Sequence, residues 1–423
     1  MEQARLRRRI RRPRRVTVLL TTAAVALGAS TTATAAQLAQ SSFLSGGLAR
    51  ASAPCSPAPV PGVEMSEGLP TPPGRVRSTG TLKALNLMID FPDVRGEGTA
   101  RERFREFFPR TSDWYRTSSY GALDYRAYAP VPRWLRMPRS FASYGIKRGS
   151  PYSPGYRRLV QDIVNAADPR VDFRLYDLVN VLVTPNAGPS AVDTVLSVTY
   201  SGLRDVPKAD GVPLTDVSFV YSRQDDGSPT ARHNAFRVLP HENAHAFGVP
   251  DLYTADGGGK AGHWDVMSED WGAGNDFLAW HKRKLGWLGG GRFACATGHG
   301  SSVHVLSPLA GPDGKKLLYV PVSDTAGWAV EVRTQAGNDH AVCKPGALVY
   351  WVDAAVDSGS GPVVVADSAP DSGGCAKEAN ANAELTDAPF GLHEQFSDRR
   401  TGVSIEVTGR DGDGRHRVRV TRP

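Results

Sequence analysis

Long apolar runs are scarce in this chain of 423 residues, and none is long enough to span a membrane. The stretch VTVLLTTAAVALGAS near the N-terminus falls short of the roughly 20 residues that a spanning helix needs. It follows the basic RLRRRIRRPRR and precedes small residues at Ala33 and Ala35. This is the layout of a secretory signal peptide. We therefore predict a signal peptide over 1–36, cleaved near Ala35 or Ala36, and a secreted protein without stable membrane association.

A surplus of positive charge is absent from the rest of the chain. The formal charge is +7, but eight arginines and one glutamate near the N-terminus account for all of it. Without them the formal charge is zero, so the basic pI belongs to the targeting segment. The composition therefore gives no support for a nucleic-acid partner. We expect protein or peptide substrates as partners, and a monomer.

Cysteines are few, and none forms a CxxC pair, which argues against a zinc site built on cysteines. The four lie at Cys55, Cys295, Cys343 and Cys375. An even number in an oxidising compartment indicates two disulfides, and sequence alone leaves three connectivities. A bond between Cys343 and Cys375 would close a loop in the C-terminal region and leave Cys55 to pair with Cys295.

Internal repeats and coiled-coil heptads are also absent. Residues 37–79 are rich in Ala, Ser, Pro and Gly, which predicts a short pro-segment or an extended arm with little structure of its own. Strands and helices then alternate, which indicates an α/β sandwich. The strands are predicted in TLKALNLMIDFPDV, GALDYRAYAPV, LVNVLVTP and DVSFVYS, and the helices in 101–115, interrupted near Pro109, and in SPGYRRLVQDIVNAA, with Ser153 as an N-cap.

From about residue 292 the sequence changes to short apolar runs separated by Gly, Asp, Ser and Pro. In its last part, valines and one isoleucine alternate with polar residues on both sides of GRDGDG, which predicts a hairpin with one buried face. The region 292–423 is therefore predicted to be a β-rich, sandwich-like domain that follows a domain over 80–291.

The stretch HENAHAFGVPDLY carries the strongest chemical signal. His241 and His245 are four residues apart, so on a helix both imidazoles lie on one face and can reach a single ion. Glu242 projects to a neighbouring edge, where it can take a proton from water without occupying a coordination position. An amphipathic helix with solvated polar residues is the alternative for this pattern alone.

The residues that follow favour the metal site. Gly248 can end the helix with a positive φ, and Pro250 prevents it from resuming. Asp251 then falls six residues after His245, where the returning chain can offer a third ligand. Two histidines and a carboxylate would leave one zinc position open, as in catalytic sites. Another carboxylate, or a water, is the alternative third ligand.

Four further residues near this motif bear on the predicted site. Met267 in HWDVMSEDW is predicted to lie on a turn beneath the zinc, with an ordinary core methionine as the alternative. Tyr253 and His263 are candidate transition-state donors because they flank the motif in sequence, although a structural role suits each as well. Metzincins often have a tyrosine two residues after the turn methionine, and here that position is Glu269.

The sequence resembles the immune-inhibitor-A-type secreted zinc metallopeptidases, which are relatives of the metzincins. The resemblance covers much of residues 80–290 and lies in LNLMIDFPDV, DWYRTSSYGALDYRA, VDFRLYDLVNVLVTPNAG, HENAHAFGVPDLY, HWDVMSEDW and DFLAWHKRKLGWL. It implies a metzincin-like zincin catalytic domain and one catalytic Zn2+, with His241 and His245 as ligands and Glu242 as base. GALVYWVD and GWAVEVRTQ resemble the β-rich region that follows the catalytic domain in such enzymes.

The function predicted is that of a zinc endopeptidase, in which Glu242 takes the proton of the attacking water and passes it to the leaving amine. Substrate is expected to bind along an edge strand, for which DVSFVYS is the candidate. The alternatives are a secreted binding or adhesion protein with a structural zinc site and a zinc hydrolase acting on a non-protein amide.

Three smaller expectations complete the prediction. Pro240 directly precedes His241, so the helix is expected either to begin at Pro240 or to be kinked there. The acidic turns at 411–414 and 225–226 lack EF-hand spacing, and we predict no calcium site in them. Cys55 is expected in a disulfide, with a thiolate that blocks the zinc until the arm is cleaved as the alternative.

Overall fold

The computed structural model describes residues 54–147, 149–185, 187, 197–221, 235–256, 258–270, 275–375 and 382–423. The predicted signal peptide, the first part of the arm and the acidic pair at 225–226 lie outside these ranges. Among the helices of the described ranges, none combines the length and the apolar character that crossing a bilayer requires.

The first half of the described chain is built on a six-stranded sheet. Its strands are β1 (Gly80–Asp90), β2 (Leu123–Tyr128), β3 (Leu135–Arg136), β4 (Leu178–Val183), β5 (Val198–Tyr200) and, after a small hairpin of β6 (Lys208–Ala209) and β7 (Val212–Pro213), β8 (Val217–Val220). The order is β2-β1-β4-β8-β5, with β3 also on β1. All pairs are parallel except β5 with β8. The central strands β4 and β8 are buried along their whole length, as expected for parallel strands covered on both faces.

The described residues contain six α-helices, which are α1 (Ala100–Arg105), α2 (Arg110–Ser118), α3 (Phe141–Tyr144), α4 (Arg157–Ala167), α5 (Val238–Ala246) and α6 (Ala279–Lys284). A capping box starts α1, in which Thr99 and Glu102 each bond the other's backbone N–H. Pro109 separates α1 from α2, as the sequence predicts. The helix α4 begins at Arg157 rather than near Ser153, which has an extended backbone.

Helices cover both faces of this sheet. The apolar stripe of α4 packs against one set of side chains from β1, β4 and β8. The alternate side chains of the same strands pack with α2 and α5 on the opposite face. The alternation predicted from sequence is therefore confirmed as a mixed α/β arrangement.

The second half of the described chain contains two more sheets. In chain order their strands are β9 (Phe293–Cys295), β10 (Gly300–Leu306), β11 (Leu317–Pro321), β12 (Ala326–Arg333), β13 (Gly346–Asp353), β14 (Val363–Val365), β15 (Gln395–Asp398), β16 (Val403–Arg410) and β17 (His416–Arg422). One sheet has the order β14-β13-β12-β11-β9 and the other the order β10-β17-β16-β15. The predicted C-terminal hairpin is present as β16 and β17. The acidic side chains of its turn form ion pairs with Arg415 and Arg417.

The five-stranded sheet is buried on both faces. One face shares a core with the four-stranded sheet, to which β16 and β17 contribute their valines and isoleucine. The other face belongs to the cluster that contains α5 and α6, where the Trp280 ring lies 4.9 Å from that of Tyr319. The division at residue 291 stays a prediction, and a single apolar core runs across it.

The arm is firmly held from residue 54 onward. The structure pairs Cys55 with Cys295 and Cys343 with Cys375, the connectivity favoured above. Glu67 in the middle of the arm is fully buried, and the N–H of Val76 donates to Ala246 O at the end of α5. Residues 54–79 form no helix or strand of their own, and these contacts fix them to the rest of the protein. A role as a pro-segment stays a prediction. A thiolate switch at Cys55 is excluded in this structure, because its sulfur is in a disulfide.

Candidate metal centre

The helix α5 carries the two histidines and begins two residues before Pro240, so the expectation of a start at Pro240 is wrong. A 3₁₀ turn over Ala235–Arg237 leads into it, and Pro240 is its third residue. Proline is tolerated there because the N–H groups of the first turn have no partner within the helix. The Tyr115 hydroxyl donates to Pro240 O at 2.9 Å and fixes this turn. His241 therefore lies in a buried, well-held part of the helix.

Three potential ligand atoms converge at the end of the HENAHAFGVPDLY stretch. His241 Nε2 and His245 Nε2 each lie 3.2 Å from Asp251 Oδ1, and all three residues are largely buried. The two imidazole rings are perpendicular, with centroids 5.0 Å apart. These residues form the single group of this kind within the part of the chain that the structure describes. The sequence-predicted ligand set is thus brought together in space.

The hydrogen bonds of this group suit a metal ion. His241 Nδ1 lies 2.9 Å from Val266 O and His245 Nδ1 lies 2.9 Å from Val249 O, so each Nδ1 carries the proton and each Nε2 presents a lone pair. Asp251 Oδ1 is buried and accepts no hydrogen bond from the described residues. Tetrahedral ligands about 2.0–2.1 Å from zinc are roughly 3.3 Å apart. The observed separations fit that ion.

Without a metal the same geometry shifts the titration of the group. Burial alone would lower the pKa of His241, but the Asp251 carboxylate outweighs it and raises the pKa to about 10. The pKa of His245 is raised in the same way. Burial would raise the pKa of Asp251, yet the two histidines hold it well below its ordinary value. The site therefore favours positive charge at its centre, whether proton or metal.

The position of Asp251 depends on parts of the chain far away in sequence. Gly248 ends the helix with φ of 86°, and a side chain there would also meet Thr71 of the arm. The N–H of Asp251 donates to Ser358 Oγ at 2.9 Å, and its carbonyl accepts from Gly359 N at 3.1 Å. The turn between β13 and β14 therefore holds the backbone of the third candidate ligand on both sides.

Ser358→Ala is expected to weaken zinc binding about fivefold, because one hydrogen bond to the Asp251 backbone, worth about 1 kcal/mol, is lost. Chelator competition measures the dissociation constant. Ser323→Ala is the matched control, since Ser323 Oγ accepts from Ala326 N in another turn of the β region. Equal zinc affinity in Ser358→Ala and Ser323→Ala would show that this turn does not position Asp251.

Glu242 is buried beside the histidines and is held by a strand that the sequence did not indicate. The Thr199 hydroxyl on β5 lies 2.8 Å from Glu242 Oε2 and 2.8 Å from Glu242 O. Burial raises the pKa of Glu242, and the two histidines and Thr199 oppose this shift. The carboxyl is thus fixed through Oε2, and no described residue bonds to Oε1.

The predicted substrate strand is wrong. DVSFVYS contains β8, which lies between β4 and β5 and has neighbours on both sides. The edge strand on this side of the sheet is β5, a short segment that is antiparallel to β8 and lies next to α5. Its three residues form too short a run to be recognised from sequence, and their pairing with β8 is a property of the folded sheet alone.

Asn243, inside the histidine motif, anchors α5 to the sheet. The residue is fully buried, and its amide donates to Asn180 Oδ1 at 2.8 Å and to Ser218 Oγ at 3.0 Å. Its Oδ1 accepts from the Tyr125 hydroxyl at 2.7 Å. An asparagine inside a helix that the sheet covers was a signal for such a network, because buried amides require partners.

The other candidates differ in their proximity to the centre. Met267 is fully buried, and the carbonyl of the residue before it accepts from His241. The Tyr253 ring is stacked on that of His241, with centroids 6.4 Å apart, and is 37% exposed. His263 instead contacts Trp264, and burial followed by the charges of Arg333 and Arg237 lowers its pKa to about 3. His263 is thus neutral near pH 7 and carries no positive charge that could stabilise an oxyanion.

Two acidic residues after Met267 are buried as well. Both carboxylate oxygens of Glu269 accept from Asn382 N, and burial raises its pKa to about 7. Asp270 is buried near enough to contribute to the raised pKa of His241 and of Tyr253, after burial and closer groups. Asp270 was missed, although adjacent acids in an otherwise apolar stretch were a signal for a functional site.

Comparison with known proteins yields little. No protein-family model matches the chain, and no curated protein matches its sequence, so the resemblance to immune-inhibitor-A-type peptidases stays a prediction. Two crystal structures of OgpA from Akkermansia muciniphila were found by structural comparison. The match to the wild-type structure covers 62% of this chain and 74% of the OgpA chain at 11% sequence identity, with a TM-score of 0.28. The match to the catalytically inactive form, in complex with the O-glycopeptide substrate glycodrosocin, covers 67% of this chain and 74% of the OgpA chain. The sequence identity is 8% and the TM-score 0.29. Similarity at this level establishes neither a shared fold nor a shared activity.

Proposed function

We propose that the chain is a secreted zinc-dependent endopeptidase with a metzincin-like catalytic region. The observation that carries this proposal is the convergence of His241 Nε2, His245 Nε2 and Asp251 Oδ1 on one point, with each Nδ1 bonded to a backbone carbonyl. Three protein ligands leave a fourth position for water or substrate, as in catalytic zinc sites.

Glu242 supplies the proton chemistry in this proposal. A bound zinc ion acts as a Lewis acid and lowers the pKa of water at the site. Glu242 takes up the proton at Oε1, because Thr199 holds Oε2. The carboxylic acid then donates this proton to the nitrogen of the leaving amine. The buried setting raises the pKa of Glu242, which favours the uptake of the proton.

We further propose β5 as the strand on which substrate lies. Among the described strands, β5 has a partner only on its inner side. An extended peptide can pair with the main chain of such an edge without any demand on its side chains. Because Thr199 on β5 also holds Glu242, the strand links substrate binding to the position of the base.

Tyr253 is the better of the two candidate transition-state donors, because its ring lies against His241 and is partly exposed. Tyr253→Phe is expected to lower kcat by about 10²-fold with KM and bound zinc nearly unchanged, since one donor to the developing oxyanion is lost. Steady-state kinetics with a peptide substrate measure this. His263→Gln serves as the comparison, and a larger loss of kcat in that variant would reverse the assignment.

A secreted binding or adhesion protein with a structural zinc is the competing function, and a hydrolase of non-protein amides is the third. An assay on a denatured protein and on a small non-peptide amide separates the three, with chelator and with zinc added back. Cleavage of the protein substrate alone, lost on chelation and restored by zinc, supports the proposal. Cleavage of neither substrate by the zinc-loaded protein would favour the binding function.

A further inference from the structure

Three buried ionisable side chains, Glu67, His281 and Asp265, link the arm to α6 and to the turn that contains Met267. His281 Nε2 lies 2.8 Å from Glu67 Oε1, and His281 Nδ1 lies 2.7 Å from Asp265 Oδ2. None of the three side chains has any exposed surface. Each nitrogen of this imidazole thus has a carboxylate partner, an arrangement that stabilises the doubly protonated ring. Burial would lower the pKa of His281, but the two carboxylates outweigh it and raise the pKa to about 10.

The last of these three side chains shapes the turn beneath the metal centre. Asp265 Oδ1 accepts from Met267 N at 2.8 Å, and Asp265 Oδ2 accepts from Leu278 N at 2.7 Å. The next residue, Val266, provides the carbonyl that accepts from His241 Nδ1 at 2.9 Å. A displacement of Asp265 would therefore move the carbonyl that orients a candidate zinc ligand.

We infer that Glu67 of the arm is a positioning residue for the metal centre, acting through His281 and Asp265 on the turn that orients His241. This inference rests on the proposed zinc site. It makes the arm a permanent part of the active protein rather than a segment whose removal activates it.

The bond from Glu67 to His281 is what keeps the imidazole in place. Without an acceptor on Nε2, the ring would bury an unpaired nitrogen, and this cost is relieved only when the ring turns or water enters. A turn of the ring would break the bond from Nδ1 to Asp265. Residues that orient metal ligands without binding the metal themselves typically contribute 10- to 100-fold to metal affinity.

The arm is held at this point by bonds on either side of Glu67. Lys284 Nζ donates to Ser66 O at 2.8 Å and to Gly68 O at 2.7 Å, and Trp280 Nε1 donates to Glu67 O at 3.2 Å. These bonds fix the backbone without using the Glu67 carboxylate. The side chain can therefore be changed while the arm stays in place.

The test compares zinc affinity in three variants with intact disulfides. Glu67→Met removes the acceptor at similar length and is expected to raise the zinc dissociation constant about tenfold. In Glu67→Gln the amide can still pair with His281, so the zinc dissociation constant is expected to stay within about threefold of the wild-type value. Arg283→Met is the matched control. Arg283 donates hydrogen bonds to the arm at Cys55 O and Ser56 Oγ, and none to Glu67, His281 or Asp265 among the described residues. This control variant is expected to lower Tm with zinc affinity unchanged.

A second measurement needs no variant. If the arm strengthens zinc binding, zinc must stabilise the arm by the same factor. Zinc is therefore expected to slow amide hydrogen exchange in peptides covering 64–70, where Leu69 N donates to Pro57 O, and to leave β16 and β17 unchanged. Slowed exchange around 239–251 alone would contradict the link.

The outcomes distinguish this inference from the proposed function. Wild-type protein that binds no zinc would overturn both. Wild-type protein that binds zinc, with Glu67→Met within twofold of it, would overturn the positioning role alone. A lower Tm without a change in zinc affinity in Glu67→Met would assign Glu67 to stability only.

Discussion

Glu242→Gln is expected to keep one zinc per chain and to lose peptidase activity by a factor on the order of 10³. The Glu242 carboxylate is not one of the three candidate ligand groups, so an amide there is expected to leave the candidate metal site intact. Glutamine can still accept the Thr199 hydrogen bond that Oε2 accepts now, so the side chain keeps its place. It cannot take up a proton at neutral pH. Metal analysis and single-turnover hydrolysis of a peptide separate the two effects.

The control for this variant is Glu269→Gln, a buried acid bonded to Asn382 rather than to the metal group. It should keep most of the activity. Loss of zinc in Glu242→Gln would make Glu242 a ligand, and activity within a few-fold of wild type would remove it as the base.

Asp251→Ala is expected to weaken zinc binding by at least about 100-fold, more than an outer residue typically contributes. The two histidines would then face a cavity without a negative charge, and the raised pKa of both would fall because Asp251 is the main group that raises it. Isothermal titration with zinc, or competition with a chelator of known affinity, gives the dissociation constant.

Asp256→Ala is the matched control, because Asp256 lies in the next turn and caps Gly258 N at the surface. It should bind zinc as wild type does. If both variants bind zinc equally, another carboxylate is the third ligand, and buried Asp270 is the first to test.

The candidate site was largely predictable because its signal is local. Histidines four apart share a helix face whatever the rest of the fold does. The same holds for Gly248, whose positive φ ends the helix and lets the chain return with Asp251. The cysteine count indicated two disulfides but left three pairings open, and the structure shows which of them forms.

The missed features depend on contacts between distant segments. Thr199 lies on a three-residue strand whose edge position follows from sheet order, which no local pattern encodes. Ser358 reaches Asp251 across 107 positions of sequence, and Glu67 reaches His281 across 214. The composition of the arm predicted little structure, but bonds from α6 to backbone carbonyls fix it.

The two halves of the fold were predicted with different success. Alternating strands and helices gave the order of the first half, and the valine alternation gave the C-terminal hairpin. The prediction of separate regions did not anticipate that β12 and β13 are buried on both faces. Their continuous apolar runs, AGWAVEVR and GALVYWVD, were the available signal, because strands covered on both sides lack alternation.

Zinc binding by His241, His245 and Asp251 can be observed in a crystal of the protein grown with zinc, with diffraction recorded at the zinc absorption edge. We expect one anomalous peak, about 2.0–2.1 Å from His241 Nε2 and His245 Nε2 and about 2.0–2.2 Å from an oxygen of Asp251. Glu242 should lie next to this peak without coordinating it. A peak elsewhere, or none between the two histidines at saturating zinc, would show that these residues do not form the proposed site.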